Sequence, residues 1–386
     1  MGNSNVLGSG NSSQLLKLSI LCTRGARRTC HYTLSSNEDL PGELILQIQL
    51  RLPVKSLMRF CCVSKNWLST ISDPKFKKAH FKLASQQQTL SPRLLISSES
   101  QIKSLELDAP SFCDKHFVKS LTSPFQRPLN TFPPILLGSC HGLILMLNLK
   151  PWPGLLYIWN PTTHCAQSIP LSSQLRIIYN CGIGHVSATD DYKIIMRSHL
   201  CSDSKRISVV EIFSLRANSW KSKEVPMFSR TLFCAGVVSN EALHWLDMFS
   251  DDESFRQTVL AFDLVKEEFG KIALPNVDNE CNMRTRDVCV LSGGCLGLTA
   301  FSNSGFIQCW VMTEYNVPMS WTKLFNIYVA IPHCNFMKLV FVSENCVIVK
   351  QGREDEYYLV RFDRQEEELE DEVVVCTGNI SLSRDT

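Results

Sequence analysis

The sequence has no Cys-x-x-Cys pair, although 17 of its 386 residues are cysteine. Zinc modules and disulfide frameworks show patterned cysteine spacing. Here Cys22, Cys30, Cys61, Cys62, Cys113, Cys140 and Cys165 fall irregularly, and the total is odd. The thiols therefore read as small apolar fillers in a reducing compartment, the cytoplasm or the nucleus. No run approaches 18 apolar residues, which excludes a transmembrane helix, and no membrane partner is expected. The formal net charge is only +2, so there is no basic excess of the kind that binds nucleic acid. His141, His164, His185, His199 and His244 include no pair at metal-ligand spacing, so no metal is expected. Gly182-Ile183-Gly184 lacks the third glycine and following helix of a dinucleotide site, and no cofactor is expected. "GSCHG" at 138–142 has the look of a nucleophile elbow around Cys140. An elbow leads from a strand into a helix, and here the strand pattern "LILML" follows instead. No catalytic residue is expected, and the chain reads as a non-enzyme.

Acid is missing from residues 1–37, which are rich in Ser and Asn and hold Arg24, Arg27 and Arg28. That composition suits a transit peptide or a disordered extension, and residues 1–36 are read as the extension. "MGNSNV" has Val6 where a myristoylation site has Ser or Thr.

What is present begins with "LPGELILQIQLRLPVKSLMRFCCVSKNW" at 40–67. Asn37, Glu38 and Asp39 before Leu40-Pro41 make a helix start. Leu44, Ile45, Ile48 and Leu52 recur at three- and four-residue steps, on one face. Pro53 stops that helix and opens a second, in which Val54, Leu57, Met58 and Phe60 supply apolar surface. A third helix is expected from about Val63 to Ile71, carrying Trp67 and Leu68 and closed by "SDP" at 72–74. So many large apolar residues on about forty positions fit either a partner interface or a seal onto the rest of the chain.

These residues resemble the F-box of plant F-box proteins. The resemblance rests on Leu40-Pro41, Leu44, "RLPVKSL" at 51–57, "CVSKNW" at 62–67 and "SDPKF" at 72–76. Gln49 stands where Leu is usual, and Cys61 where Arg or Lys is common. The resemblance implies docking to a Skp-type adaptor and through it to a cullin. It implies Leu40, Pro41, Leu44, Ile45, Ile48, Leu52, Pro53, Val54, Leu57 and Trp67 as the adaptor-facing set.

After a linker at 81–92, short apolar runs separated by turn residues indicate many antiparallel strands. A strand ending in a polar turn recurs near Asp108, Asn160, Asn218, Asp263, Asn316 and Asp363, at steps of roughly 50 residues. That period is kelch-like and suggests six blades, unless the last marker closes the first blade; a β-sandwich is the competing architecture. Trp159, Trp220, Trp245, Trp310 and Trp321 are expected to fill space between blades, and "WNPTT" at 159–163 to reverse the chain. "EEELEDE" at 366–372 reads as a solvated loop.

"GSCHGLILML" with "YIWNPTT" is similar to the F-box-associated region of the same plant family. "GVVSNEALHWL", "LAFDL" and "CWVMTEYNVPMSWTKLF" follow in its order. The expected fold is therefore α+β: a small three-helix F-box module at 37–80, then an all-β kelch-like propeller of about six blades at 93–376, then a tail at 377–386. The implied function is substrate recognition in a Skp-cullin-F-box ubiquitin ligase, with an unknown target protein on the β domain. The other open reading is a propeller scaffold or ligand-binding protein with a degenerate F-box, prompted by Gln49 and Cys61. Loops at 124–134, 148–154, 199–206, 248–256 and 276–286 are the candidate target contacts by length.

Overall fold

The structure is a computed structural model. It describes residues 41–86, 92–97, 101–107, 118–122, 124, 134–149, 154–171, 177–202, 205–225, 234–251, 254–275, 283–302, 305–328, 336–342, 346–352, 357–363, 372–376 and 379–384. The chain divides into two units, one ending at Ile48 and the other starting at Gln49. The expected 1–36 extension lies outside the described residues, as does Leu40.

Four helices are present where three were expected: α1 (Gly42–Gln49), α2 (Val54–Phe60), α3 (Lys65–Ser72) and α4 (Pro74–Gln86). Pro53 does open α2, its carbonyl accepting from Ser56 and Leu57 N–H. α3 begins at Lys65 rather than Val63, because Ser64 caps it: the Ser64 hydroxyl accepts from Trp67 N–H at 3.1 Å. "SDP" ends α3 as expected but also starts α4. Asp73 Oδ1 accepts from Lys75 N–H at 2.8 Å, and Pro74 supplies the preset first-turn φ. α4 therefore runs through the first half of the expected 81–92 linker.

Within the second unit, Leu57, Ile71 and Phe76 form the core of α2–α4. Leu50, Leu52, Phe60, Cys61 and Trp67 pack around it, and Phe60 meets Trp67 edge-on with centroids 5.2 Å apart. A His80 ring nitrogen lies 2.8 Å from the Leu52 carbonyl oxygen and ties α4 to the turn before α2.

The remainder forms six sheets, five of four antiparallel strands and one of five, whose extra short strand Cys234–Ala235 runs parallel to its neighbour Ile177–Val186. Third strands start at Ile102, Leu155, Lys205, Ser254, Phe306 and Tyr357, so one blade takes about 50 residues. In blades 2 to 5, where it is described, the recurring polar marker proves to be the turn from third to fourth strand. In blade 2, Asn160 Oδ1 accepts from Thr162 and Thr163 N–H, and His164 closes the turn at φ 57°. In blade 4, Asp263 Oδ1 accepts from Val265 and Lys266 N–H, and Glu267 closes at φ 59°. A short polar side chain satisfies the orphaned amides of the bend, and the sequence repeats because the bend does.

Each pair of neighbouring blades encloses its own apolar cluster. Leu95, Ile144 and Trp159 lie between blades 1 and 2, and Leu145, Ile183 and Phe213 between 2 and 3. Ile195, Trp245 and Phe262 join 3 to 4, and Val259, Trp310 and Trp321 join 4 to 5. Ile307, Val349 and Phe362 join 5 to 6, and Leu105, Phe341 and Ile348 join 6 back to 1. Six contacts around six blades make a closed propeller, not a sandwich. All five tryptophans named from the sequence pack between blades as expected, Trp220 at the margin of its cluster.

Closure corrects the expected tail. Asn379–Arg384 is a strand that pairs with Pro92–Ser97 and supplies the first strand of blade 1. The first and last described strands of the propeller thus share one sheet. Without that strand, blade 1 would present a free ladder edge. The 366–372 acidic run lies outside the described residues except for Glu372.

Candidate functional site

The expected adaptor-facing residues divide by burial. Leu44 and Ile48, one turn apart on α1, are 50% and 49% exposed, and Pro41 and Pro53 are exposed. Ile45, Leu52, Val54 and Trp67 are half-buried. Leu57 is not on an open face. It is 4% exposed and belongs to the helices' own core with Ile71 and Phe76, so its assignment as a partner contact is corrected. Gln49 is 1% exposed and therefore does not interrupt the open apolar face. Three further apolar residues outside the expected set are exposed: Leu46, Val63 and Leu68. Val63 is 63% exposed in the turn after α2. An apolar residue in a turn bounded by Cys62 and Ser64 was the signal available for it.

The helices carry a charge bias that the whole-chain total hides. Residues 41–86 hold eight basic residues (Arg51, Lys55, Arg59, Lys65, Lys75, Lys77, Lys78, Lys82) against Glu43 and Asp73. All eight are exposed.

α4 lies against one end of the ring. Antiparallel pairing puts the first-to-second and third-to-fourth strand turns of each blade at one end, and the other connections at the opposite end. Lys78 Nζ stands 2.6 Å from Asp190 Oδ2, in the first such turn of blade 3. The Phe81 ring lies 4.6 Å from that of His141, in the matching turn of blade 2. His141 and Gly142, at φ 49° and 73°, form the two-residue reversal that "GSCHG" encodes. Strand leads to turn and then to strand, so the elbow geometry is absent. Burial pushes the Cys140 thiol up to about 12, which keeps it protonated and a poor nucleophile.

Around His141 the rings of His185 and Tyr192 lie 5.0 and 5.9 Å away. The residue is open to solvent, yet its ring is enclosed by Phe81, His185 and Tyr192. That enclosure, with the second imidazole beside it, pushes the His141 pKa down to about 4. The Lys78 hydrogen bond, aided by His185, holds the Asp190 carboxyl below its usual range. The exposed Lys78–Asp190 pair contributes about 0–1 kcal/mol, and each aromatic contact about 0.5–1.5 kcal/mol. The rings, not the ion pair, dominate this contact.

With this geometry in view, residues 38–79 match the F-box domain model. Residues 94–381, about three quarters of the chain, match the F-box associated beta propeller domain model. The chain belongs to the F-box-associated propeller family. The match is to that propeller model, so the kelch-like label holds only for the blade period. Relatives agree. "F-box protein CPR1" of Arabidopsis thaliana is 30% identical over 315 residues, covering 75% of this chain and 73% of that protein. An "F-box/kelch-repeat protein" of the same plant is 27% identical over 346 residues, covering 82% and 86%. Among the described residues no group of three or more His, Cys, Asp and Glu side chains is placed to hold a metal ion. The described helices include none long and apolar enough to cross a membrane.

Proposed function

We propose that this F-box-associated propeller protein is a non-catalytic substrate receptor of a Skp-cullin-F-box ubiquitin ligase. The helices dock a Skp-type adaptor, which bridges to a cullin, and the propeller holds a target protein. Ubiquitin transfer then gains from the raised effective concentration of target lysines beside the charged conjugating enzyme. The observation that carries the reading is the open apolar side chains of the helices, Leu44 and Ile48 foremost, while Leu57, Ile71 and Phe76 already supply an internal core. Apolar residues left outside a satisfied core mark a partner surface.

The adaptor-facing set is therefore Leu44, Ile48, Pro41, Pro53, Ile45, Leu52, Val54 and Trp67, extended by Leu46, Val63 and Leu68. Each well-covered Leu or Ile is worth about 1.5–3 kcal/mol, enough in sum to exceed the cost of association. The exposed Lys and Arg other than Lys78, which pairs with Asp190, call for an adaptor with acid flanking its apolar groove. The degenerate F-box alternative loses one of its two motives, because Gln49 is buried instead of presented.

The target belongs at the ring end away from α4. Three of the five candidate loops, 124–134, 148–154 and 276–286, connect strands at that end, and most of their residues lie outside the described set; 199–206 and 248–256, expected as loops, are largely strand. Two paired hairpins reach that end with strands of 10 to 12 residues: Asp191–Ser202 with Lys205–Ser214, and Ala242–Asp251 with Ser254–Asp263.

The test is co-expression with a Skp-type adaptor. The wild-type chain is expected to co-purify with it, and Leu44→Asp with Ile48→Asp to abolish capture while the propeller melts at its wild-type temperature. A wild-type chain that leaves the adaptor behind overturns the assignment.

A further inference from the structure

The contact between α4 and the ring has a meaning beyond holding two pieces of chain together. α4 ends at Gln86 and the first ring strand begins at Pro92. Connection through five residues does not by itself fix an angle between α4 and the ring. Two turns of the ring hold α4 directly. Phe81 packs on His141 in blade 2, and Lys78 pairs with Asp190 in blade 3, so α4 is gripped at two points on different blades. The grips are joined from behind: His185 stands 3.2 Å from Asp190 Oδ1, and the His185 and Tyr192 rings are 4.7 Å apart. A His141 ring nitrogen lies 3.2 Å from the Tyr192 hydroxyl. His141 also holds a left-handed backbone, which Asn or Gly would adopt at lower cost. An imidazole kept there points to a demand for the ring.

We propose that Lys78, Phe81, His141 and Asp190 form a seat that fixes the angle of α4 on the propeller. On the receptor reading above, on which this rests, they are positioning residues for ubiquitin transfer. A fixed angle holds a bound target at one distance and orientation from the conjugating enzyme, so only lysines within that arc are modified. None of the four belongs to the adaptor-facing set, so the seat and the docking surface are separable.

The experiment compares wild type with Phe81→Ala/His141→Asn, Lys78→Glu, and the charge swap Lys78→Glu/Asp190→Lys. Asn keeps the left-handed turn without the ring, which guards against simple misfolding. Three readouts are taken on the full chain: adaptor capture, amide exchange of α4, and the chain's own lysines modified in a reconstituted ligase without added target. Wild type is expected to be modified at a restricted set of propeller lysines. The Phe81→Ala/His141→Asn variant is expected to exchange α4 amides roughly three- to tenfold faster and to spread modification over more lysines, with adaptor capture unchanged. Lys78→Glu should do the same more weakly, and the charge swap should restore the wild-type pattern. Unchanged α4 exchange in the ring variant overturns the seat, and faster exchange with an unchanged lysine pattern overturns its positioning role. Loss of adaptor capture by wild type would instead overturn the receptor reading, with α4 exchange still judging the seat.

Discussion

In the propeller, Trp159, Trp245, Phe213 and Phe262 are wholly enclosed between blades, and each of the six junctions has an apolar cluster. In the helices, three apolar side chains are buried in the core, while Leu44 and Ile48 stand about half open and Val63 more so. The two regions are built from the same kinds of residue and treat them oppositely. The ring satisfies its apolar surface internally because each blade covers the next. Three short helices and a fourth of 13 residues cannot do so. A core substitution should therefore cost stability in the ring, whereas a surface substitution on the helices should cost binding.

The largest effect tests the ring as a closed object. Deleting residues 377–386 removes the strand paired along Pro92–Ser97. The shortened chain is expected to lose its cooperative melt or become insoluble, because an unpaired ladder is left in blade 1. A deletion variant melting within a few degrees of wild type would show that the six clusters hold without closure. Next in size is Trp245→Ala, which empties the blade 3–4 junction. About 3–5 kcal/mol should be lost in denaturant unfolding. Leu44→Asp, by contrast, should change unfolding by about 0.5 kcal/mol or less. Equal costs at both sites would erase the contrast between the regions.

A smaller loss is expected from Gly236→Ala. A methyl group there would meet the Trp245 ring at 2.6 Å from Cε2. The indole cannot retreat easily, because its N–H donates to the carbonyls of Cys181 and Cys234. Overpacking of this kind costs about 1–3 kcal/mol. Gly270→Ala, where a methyl group meets nothing within 4 Å, is the control.

The two regions were also unequally legible in the sequence. Blade period, closing tryptophans and the Asn160 turn could be read from residue types, because they are local and repeat. α4 was missed because Asp73-Pro74 was taken only as a stop, although Asp at the cap and Pro at the first turn also start a helix. The closing strand was missed because "NISLSR" is short and mostly polar, and its partner lies almost the whole chain away. Leu57 was misplaced for a different reason. Periodicity identifies an apolar face but cannot say which of its members meet the module's own core. The seat around His141 left no signal, since its four residues come from three distant segments.

The smallest prediction separates ring from helices by pH. His244 is 1% exposed in blade 4, with its ring nitrogens 3.3 Å from the Val237 carbonyl oxygen and 2.9 Å from the Tyr315 hydroxyl. Burial pushes its pKa down to about 4, from about 6.5 in the unfolded chain. Between those values the unfolded state binds a proton that the folded state refuses. Stability is therefore full above about pH 6.5 and falls as pH drops towards 4, at no more than about 1.4 kcal/mol per unit from this group. His244→Gln keeps a polar side chain and removes the titration. Its stability is expected to lie below wild type at pH 7.5 and to fall less steeply below pH 6.5, as read by denaturant unfolding. Parallel pH profiles for the two proteins would mean that His244 does not set the acid limit of the propeller.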